Sequence, residues 1–118
     1  MAQAQESPTE VAAAAAHGWL GHVDAGKYAD SWRAASTLLQ GAVTEEQWVA
    51  SLNGVRKPLG KLVSRQRTSV HPSTSLPGAP DGHYVVMQFD TRFEHKQAAV
   101  ETATFMQEKD GRWKAAGY

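Results

Sequence analysis

The first half of the chain carries its apolar side chains at helical spacing. The stripe recurs every fourth residue and comprises Val11, Ala15, Trp19 and Val23. This pattern predicts a helix that buries one face and reaches about Asp24. Ser7 can cap its start and Pro8 suits its first turn, because the first backbone N–H groups of a helix have no internal partners and proline lacks that group.

Two further helices are predicted before the pattern changes. One runs from Tyr28 to about Leu39 and ends at Gly41. The next begins at residues 44–47 with a capping-box sequence, whose first and last side chains can each bond the other residue's backbone N–H group. Its apolar positions are Trp48, Leu52 and Val55. Pro58 ends this helix, because its ring cannot continue the hydrogen-bond ladder.

From Lys61 onward the apolar period changes to two, which is typical of β-strands. A mostly polar strand at 61–70 suits a sheet edge, and a loop rich in proline, glycine and serine follows it. The clearest strand covers 83–95, and two more are predicted at about 98–108 and 112–118. Helices followed by hairpin-linked strands predict an α+β domain, with N-terminal helices packed on a curved antiparallel sheet of about four strands.

The second strand has one apolar face and one polar face. The apolar set, predicted to face the helices, is Val85, Met87, Phe89, Thr91 and Phe93. Asp90 and Arg92 then point to the opposite side. A shift of one residue would reverse every side chain and expose Met87 and both phenylalanines, so we assign these charges to the solvent-facing side of the sheet.

The third strand can pair with the second in two registers that differ in the direction of Glu101. If Phe93 pairs with Ala98, Glu101 faces outward. If Phe93 pairs with Ala99, Glu101 faces inward and becomes a carboxylate in an apolar pocket, a position suited to a general base.

A second turn bears on this choice. The dipeptide Asp110-Gly111 is a strong hairpin signal. That hairpin is predicted to place Trp113 and Ala115 on the same face as Met106, which favours the first register and an outward Glu101. The sequence alone leaves both registers open.

The charges balance overall but are unevenly spread. Lys+Arg and Asp+Glu both count 12, which argues against a dedicated nucleic-acid-binding protein, because such proteins usually carry a basic excess. No acidic residue occurs between Gln47 and Pro80, although Arg56, Arg65 and Arg67 lie there. These arginines are either a solvated face paired with acids from elsewhere in the chain or an anion-binding patch.

Several classes of site are excluded or disfavoured. The sequence contains no cysteine, which excludes disulfides, thiolate catalysis and zinc–thiolate sites. The five histidines do not share a face or spacing that would bind a metal, so we predict neither metal nor cofactor. No apolar run is long enough to cross a membrane. Residues 2–4 fit the small-x-small end of a secretory signal. We therefore expect a flexible remnant at 1–7 and one domain at 8–118.

Four stretches together resemble the bacterial domain of unknown function 4019 family. They are "YADSWRAAS", "TEEQWVASLNGVRKPLG", "SLPGAPDGHYVVMQFDTRF" and "DGRWKAAGY". The resemblance covers roughly Val11 to Tyr118 and is specific in order and spacing. It implies a small, usually exported protein with a cystatin-like or nuclear-transport-factor-2-like α+β cone, located in the periplasm or secreted. That family has no assigned activity, so the resemblance leaves function open.

Two functions fit these observations. The first is a non-catalytic exported domain that binds a protein partner or a small ligand, with Tyr28 and Trp32 as candidates for the rim of its pocket. The alternative is a small cone-fold isomerase or lyase that uses Glu101 or Asp90 as its base. This alternative rests on analogy with enzymes of the resembled fold, and fold does not fix function.

The polar face of the sheet predicts an assembly. Tyr84 and Val86 are apolar positions on the face that also carries Asp90 and Arg92. A half-apolar face suits burial in an interface, and a two-fold axis would let Asp90 meet Arg92 of a second copy. We therefore predict a homodimer through these residues. The competing expectation is a monomer whose Asp90 and Arg92 pair within their own sheet.

Overall fold

The computed structural model describes residues 7–118. The helices are α1 (Pro8–Asp24), α2 (Tyr28–Arg33), α3 (Thr37–Ala42) and α4 (Glu45–Val55), with a short 3-10 turn at Lys57–Leu59. The strands are β1 (Leu62–Ser73), β2 (Tyr84–Phe93), β3 (Lys96–Gln107) and β4 (Trp113–Gly117). The predicted α+β class is confirmed. Apart from Ser7, the predicted N-terminal remnant lies outside the described residues.

The four strands form one open antiparallel sheet in the order β1-β2-β3-β4. Helix α1 packs against all four strands, whereas α4 packs mainly against α2. The core between α1 and the sheet contains Ala12, Ala16, Leu20, Met87 and Phe105. Helix α4 therefore stands beside the sheet instead of on it, and this placement leaves space between α4 and β3.

The helix starts follow the capping chemistry of the sequence. The Ser7 hydroxyl accepts a hydrogen bond from the Glu10 N–H group at 3.3 Å, and Thr44 and Gln47 form the full capping box of α4. The predicted helix from Tyr28 to Leu39 is wrong, because it is divided into α2 and α3. The Ser36 hydroxyl caps α3, while the Ser36 N–H group donates to the Ala115 carbonyl of β4 at 2.8 Å.

The faces of β2 agree with the alternation of its sequence. Val85, Met87, Phe89, Thr91 and Phe93 are buried, and Asp90 and Arg92 are exposed. Burying the larger aromatic and aliphatic side chains removes the most apolar surface from water, which determines the direction in which the strand faces.

The β2–β3 register turns Glu101 inward and corrects the favoured expectation. Thr91 lies opposite Ala99 and Phe89 lies opposite Glu101. A register irregularity between Thr91 and Phe93 places Phe93 opposite Lys96, so neither predicted Phe93 pairing occurs. The inward set is nevertheless that of the second predicted register. An extra residue at a hairpin bulge is enough to reverse the faces of the strand beyond it.

The β3–β4 hairpin also differs from its prediction. Ala115 lies opposite Phe105, and Lys114 lies opposite Met106. Ala115 therefore shares the buried face of Phe105 and not the side of Met106. The Glu108 N–H group bonds the Arg112 carbonyl at 2.7 Å, so three residues, 109–111, form the turn instead of the pair Asp110-Gly111 alone.

Candidate functional site

A cleft of about 550 Å³ separates α4 from β3. Its apolar walls include Trp48, Leu52, Val55, Leu59, Phe93 and Tyr118. The cleft exists because α4 is held by α2 and does not close onto the sheet. Such a volume lies within the range of roughly 300–1,000 Å³ that is typical of ligand pockets.

Two apolar side chains at the rim of the cleft remain exposed to solvent in the folded chain. Val55 on α4 is 71% exposed and Val100 on β3 is 67% exposed. Lys96 lies at the end of the cleft nearest the β2–β3 turn and has no ion-pair partner among residues 7–118. The rim thus combines two exposed valines with one exposed cation.

Glu101 lies in the lining of the cleft and accepts four hydrogen bonds. Arg65 donates from Nε to Oε1 at 2.7 Å and from Nη2 to Oε2 at 3.0 Å. Thr91 Oγ1 donates to Oε1 at 2.6 Å, and the Tyr118 hydroxyl donates to Oε2. Because a carboxylate offers about four acceptor positions, these donors occupy its whole capacity.

Arg65 joins Glu101 to a second carboxylate. Its Nη1 and Nη2 atoms donate to Asp24 at 2.8 and 3.0 Å. Asp24 also accepts a bond from Arg56 Nη2 at 3.2 Å. Arg56 Nη1 donates to the Gly60 carbonyl at 2.6 Å, and its guanidinium lies 4.4 Å from the centre of the Phe93 ring. Two arginines and two carboxylates therefore form a buried network whose formal charges cancel.

The environment keeps Arg65 charged and Tyr118 protonated. Burial alone would lower the pKa of Arg65, but its hydrogen bonds and charge interactions with Asp24 and Glu101 outweigh burial and raise it. Burial raises the pKa of Tyr118 well above 10.0, and the hydrogen bond to Glu101 and its negative charge raise it further. Both side chains thus remain hydrogen-bond donors over the physiological pH range.

The three arginines of the predicted anion patch are separated. The side chains of Arg56 and Arg65 are only 3% and 6% exposed, and both are bonded to carboxylates. Arg67 is exposed on β1. The three arginines therefore do not form one exposed patch. The alternative, arginines paired with acids from elsewhere in the chain, describes Arg56 and Arg65.

The other predicted pocket residues lie away from the cleft. Tyr28 is buried in the core. The Trp32 Nε1–H group donates to the Val43 carbonyl at 3.0 Å, so Trp32 supports one wall from behind. Asp90 is exposed on the outer face of the sheet, where it lines a second depression of about 490 Å³ together with Arg92. Of the two proposed bases, only Glu101 lines the α4–β3 cleft.

The predicted dimer face is partly covered by the protein itself. Tyr84 is buried, and its hydroxyl donates to the Pro80 carbonyl in the loop before β2. Val86 is half-buried, while Asp90 and Arg92 are exposed. Tyr84 therefore cannot be the exposed centre of that face, because its own loop lies over it.

Several residues of the site did not emerge from the sequence patterns. Asp24 was interpreted only as a helix end, and Tyr118 and Lys96 were given no role. The one useful signal was the long basic segment without acids, because buried arginines require carboxylates from other parts of the chain. No pattern in the sequence predicts the cleft, since the cleft depends on how α4 is oriented relative to the sheet.

Residues 7–118 contain no group of three or more His, Asp or Glu side chains arranged to hold a metal ion. In that same range, no helix combines the length and the hydropathy needed to cross a bilayer. A search of curated proteins finds no match to the chain. The model of one protein family, described as protein of unknown function (DUF4019), matches residues 15–118. The match spans most of the chain, including every strand and the cleft, and the chain therefore belongs to the DUF4019 family.

Proposed function

We propose that this protein is a non-catalytic binding domain whose ligand site is the cleft between α4 and β3. One observation carries the proposal: the cleft is open and apolar, yet Glu101, the only carboxylate that residues 7–118 contribute to its lining, has its acceptor capacity filled by protein donors. A general base needs a free lone pair to take a proton from its substrate. Glu101 instead serves to hold Arg65, Thr91 and Tyr118 in place.

The chemistry of the rim supports a class of ligand. Apolar walls favour an apolar body, and Lys96 at one end of the cleft is a cation with no ion-pair partner in the described part of the chain. A ligand with an apolar body and one anionic group would bury its apolar part and keep its charge beside Lys96. Buried ligand surface contributes about 25 cal/mol per Å², so the apolar part supplies most of the affinity.

The binding site can be tested with a matched pair of valines. We expect isothermal titration calorimetry with decanoate, an apolar anion, to show saturable binding that Val55→Asp abolishes. Val63→Asp is the control, because Val63 is also exposed, at 64%, and lies on β1 away from the cleft. Equal binding by both variants would remove the cleft as the site.

An enzyme remains the second candidate, because Glu101 does line the cleft. In this alternative Glu101 is the base of an isomerase or lyase and must release one of its donors when substrate binds. The test is a substrate screen with Glu101→Gln, whose folding is checked by its thermal unfolding. If the unmodified protein turns over a substrate and the folded Glu101→Gln protein does not, the protein is an enzyme and the binding proposal is refuted.

The family resemblance and the N-terminal sequence support export to the periplasm or the cell exterior. The same resemblance supports placing the α+β fold among the cystatin-like and nuclear-transport-factor-2-like cones. Fractionation of cells that express the gene from its own start tests location. We expect the protein in the periplasmic or extracellular fraction, and retention in the cytoplasm would refute export.

We keep the homodimer as a proposal, with an interface that no longer includes Tyr84. With Tyr84 covered, its support is the half-buried Val86 beside the exposed charges Asp90 and Arg92. Opposite charges on one face allow self-complementary pairing about a two-fold axis. Light scattering should give a dimer mass that falls in Val86→Glu. A monomer mass for both proteins would reject this dimer.

A further inference from the structure

The open part of β3 presents an unpaired strand edge beside the cleft. Strand β4 pairs with β3 only from Thr104 to Gln107. Residues 96–103 therefore have a strand partner on the β2 side alone within the described part of the chain. On the other side, the backbone N–H and C=O groups that point away from β2 have no ladder partner.

This edge is regular where it borders the cleft. Ala99 to Ala103 pair with β2 without a break in register. The cleft lining includes four consecutive residues, 99–102. Since successive side chains of a strand point to opposite faces, a lining of consecutive residues means that the cleft reaches the strand edge and not only its inner face.

The edge also lacks the features that normally prevent strand pairing. Between Ala99 and Ala103 there is no proline and no exposed charge, because Glu101 is buried and bonded to Arg65. An uncovered, uncharged and regular edge is a template for an added strand. Its neighbour across the cleft is the apolar side of α4, where Leu52 and Val55 lie.

From this arrangement we infer that the cleft binds an extended peptide that adds to the sheet at the open edge of β3. The inference rests on the proposed binding site and specifies its occupant. Backbone groups of the peptide pair with β3, and every second side chain enters the apolar cleft. An acidic side chain of the peptide meets Lys96, the free cation at the end of the cleft.

Charge complementarity selects this partner over an arbitrary apolar segment. The other charges at the site cancel within the protein, because Asp24, Arg56, Arg65 and Glu101 bond one another. Within the described residues, 7–118, Lys96 is then the one charge of the cleft lining without an ion-pair partner. A peptide with alternate aliphatic residues and one acid at the end near Lys96 matches both the apolar walls and this cation.

The test uses two blocked eight-residue peptides that alternate valine and threonine. One carries aspartate at its first position and the other at its last, which covers the parallel and antiparallel directions. We expect calorimetry to show that one of them binds with a stoichiometry of one peptide per protein.

N-methylation of alternate amides of that peptide then tests whether it binds by strand pairing, because only alternate N–H groups of an added strand face its neighbour. One methylated set should weaken binding about tenfold or more, while the complementary set leaves it within about twofold.

Each other outcome overturns this inference. Equal effects of the two methylated sets would mean that the peptide lies in the cleft without strand pairing. Binding of decanoate but of neither peptide would refute the peptide and keep the proposed cleft. Binding of none of these probes would refute the peptide and also remove the support for the proposed function. A concentration-dependent dimer that the peptides cannot displace, and that Val100→Lys dissociates, would assign the edge to a second copy of the chain.

Discussion

Two edges of the sheet, β1 and the open part of β3, differ in the features that prevent strand pairing. Strand β1 carries the exposed charge of Arg67, contains Pro72 near its end, and has register irregularities in two places. The open part of β3 has only Lys96 as an exposed charge and runs regularly from Ala99 to Ala103. Charges, proline and bulges are the usual protection of an edge against strand pairing. The contrast supports the proposal that a partner strand pairs at β3 and not at β1.

The same buried network connects the two edges. Arg65 on β1 and Thr91 on β2 both donate hydrogen bonds to the carboxylate of Glu101 on β3. A charged group removed from water is stable only when its partners are held in place, so the network fixes the three strands relative to one another. The network therefore holds the strand that carries the open edge at Glu101, and a preorganised edge would lower the ordering cost of the proposed binding.

The largest expected effect comes from breaking this connection at β1. Arg65→Met removes the shared partner of Asp24 and Glu101 and leaves the buried carboxylate of Glu101 and the half-buried carboxylate of Asp24 without their main donor. Urea unfolding should show a loss of about 3–5 kcal/mol in the free energy of unfolding. Arg67→Met is the control, because Arg67 is exposed on the same strand and should change stability by less than about 0.5 kcal/mol. Similar losses in both variants would contradict the network as the link between the edges.

A smaller loss is expected from the donor beside β3. Tyr118→Phe removes the hydroxyl that donates to Glu101 and should cost about 1.5–3 kcal/mol, the range for a hydrogen bond to a charged group. Tyr84→Phe is matched to it, since that hydroxyl donates to a neutral carbonyl and should cost about 0.5–1.5 kcal/mol. Chemical unfolding at neutral pH measures both. Equal costs would mean that the charge of Glu101 adds nothing to its bond with Tyr118.

The raised pKa of Tyr118 adds a pH signature to this variant. The group is protonated in both states below pH 10, so its contribution to stability is complete there. Above about pH 10 the unfolded phenol loses its proton while the folded one keeps it, and stability falls by up to about 1.4 kcal/mol per pH unit. Tyr118→Phe should lack this part of the alkaline decline. Parallel stability curves for the two proteins above pH 10 would contradict the raised pKa.

The open edge can be given the protection that β1 has. Val100→Lys places a charge on the open edge, at an exposed residue of the cleft rim whose side chain points to the opposite face of β3 from Glu101. We expect peptide affinity to fall about tenfold, or 1.4 kcal/mol. Val63→Lys puts the same charge on an equally exposed valine of β1 and should leave affinity unchanged. Calorimetry with the binding octapeptide distinguishes them, and an equal loss in both variants would refute the difference between the edges.

The smallest effect is expected from the exposed charge at the end of the cleft. Lys96→Glu should weaken the acidic octapeptide about threefold or more, because a rim ion pair contributes little in water. The loss should shrink as salt rises, since salt screens exposed charges. Lys57→Glu makes the same charge change outside the cleft lining and serves as the control. A salt-independent loss in Lys96→Glu would point to a packing change and not to charge.

Prediction of the site from sequence succeeded where the pattern was local. The alternation of β2 identified Phe89 and Phe93 as buried, and the basic segment without acids indicated paired arginines. The direction of Glu101 was favoured wrongly, because it depends on the single irregularity near Phe93. A bulge changes the face of every residue beyond it but leaves almost no trace in composition.

The sequence by itself determined the starts of α1 and α4, the strand order along the chain and the α+β class. These depend on interactions within a few residues, such as the capping of α4 by Thr44, or on the burial of one face of an element. Only the tertiary structure decided that Arg65 meets Asp24 and Glu101 and that α4 stands away from β3. Those contacts join residues far apart in the chain, and their geometry depends on packing angles that no local pattern encodes.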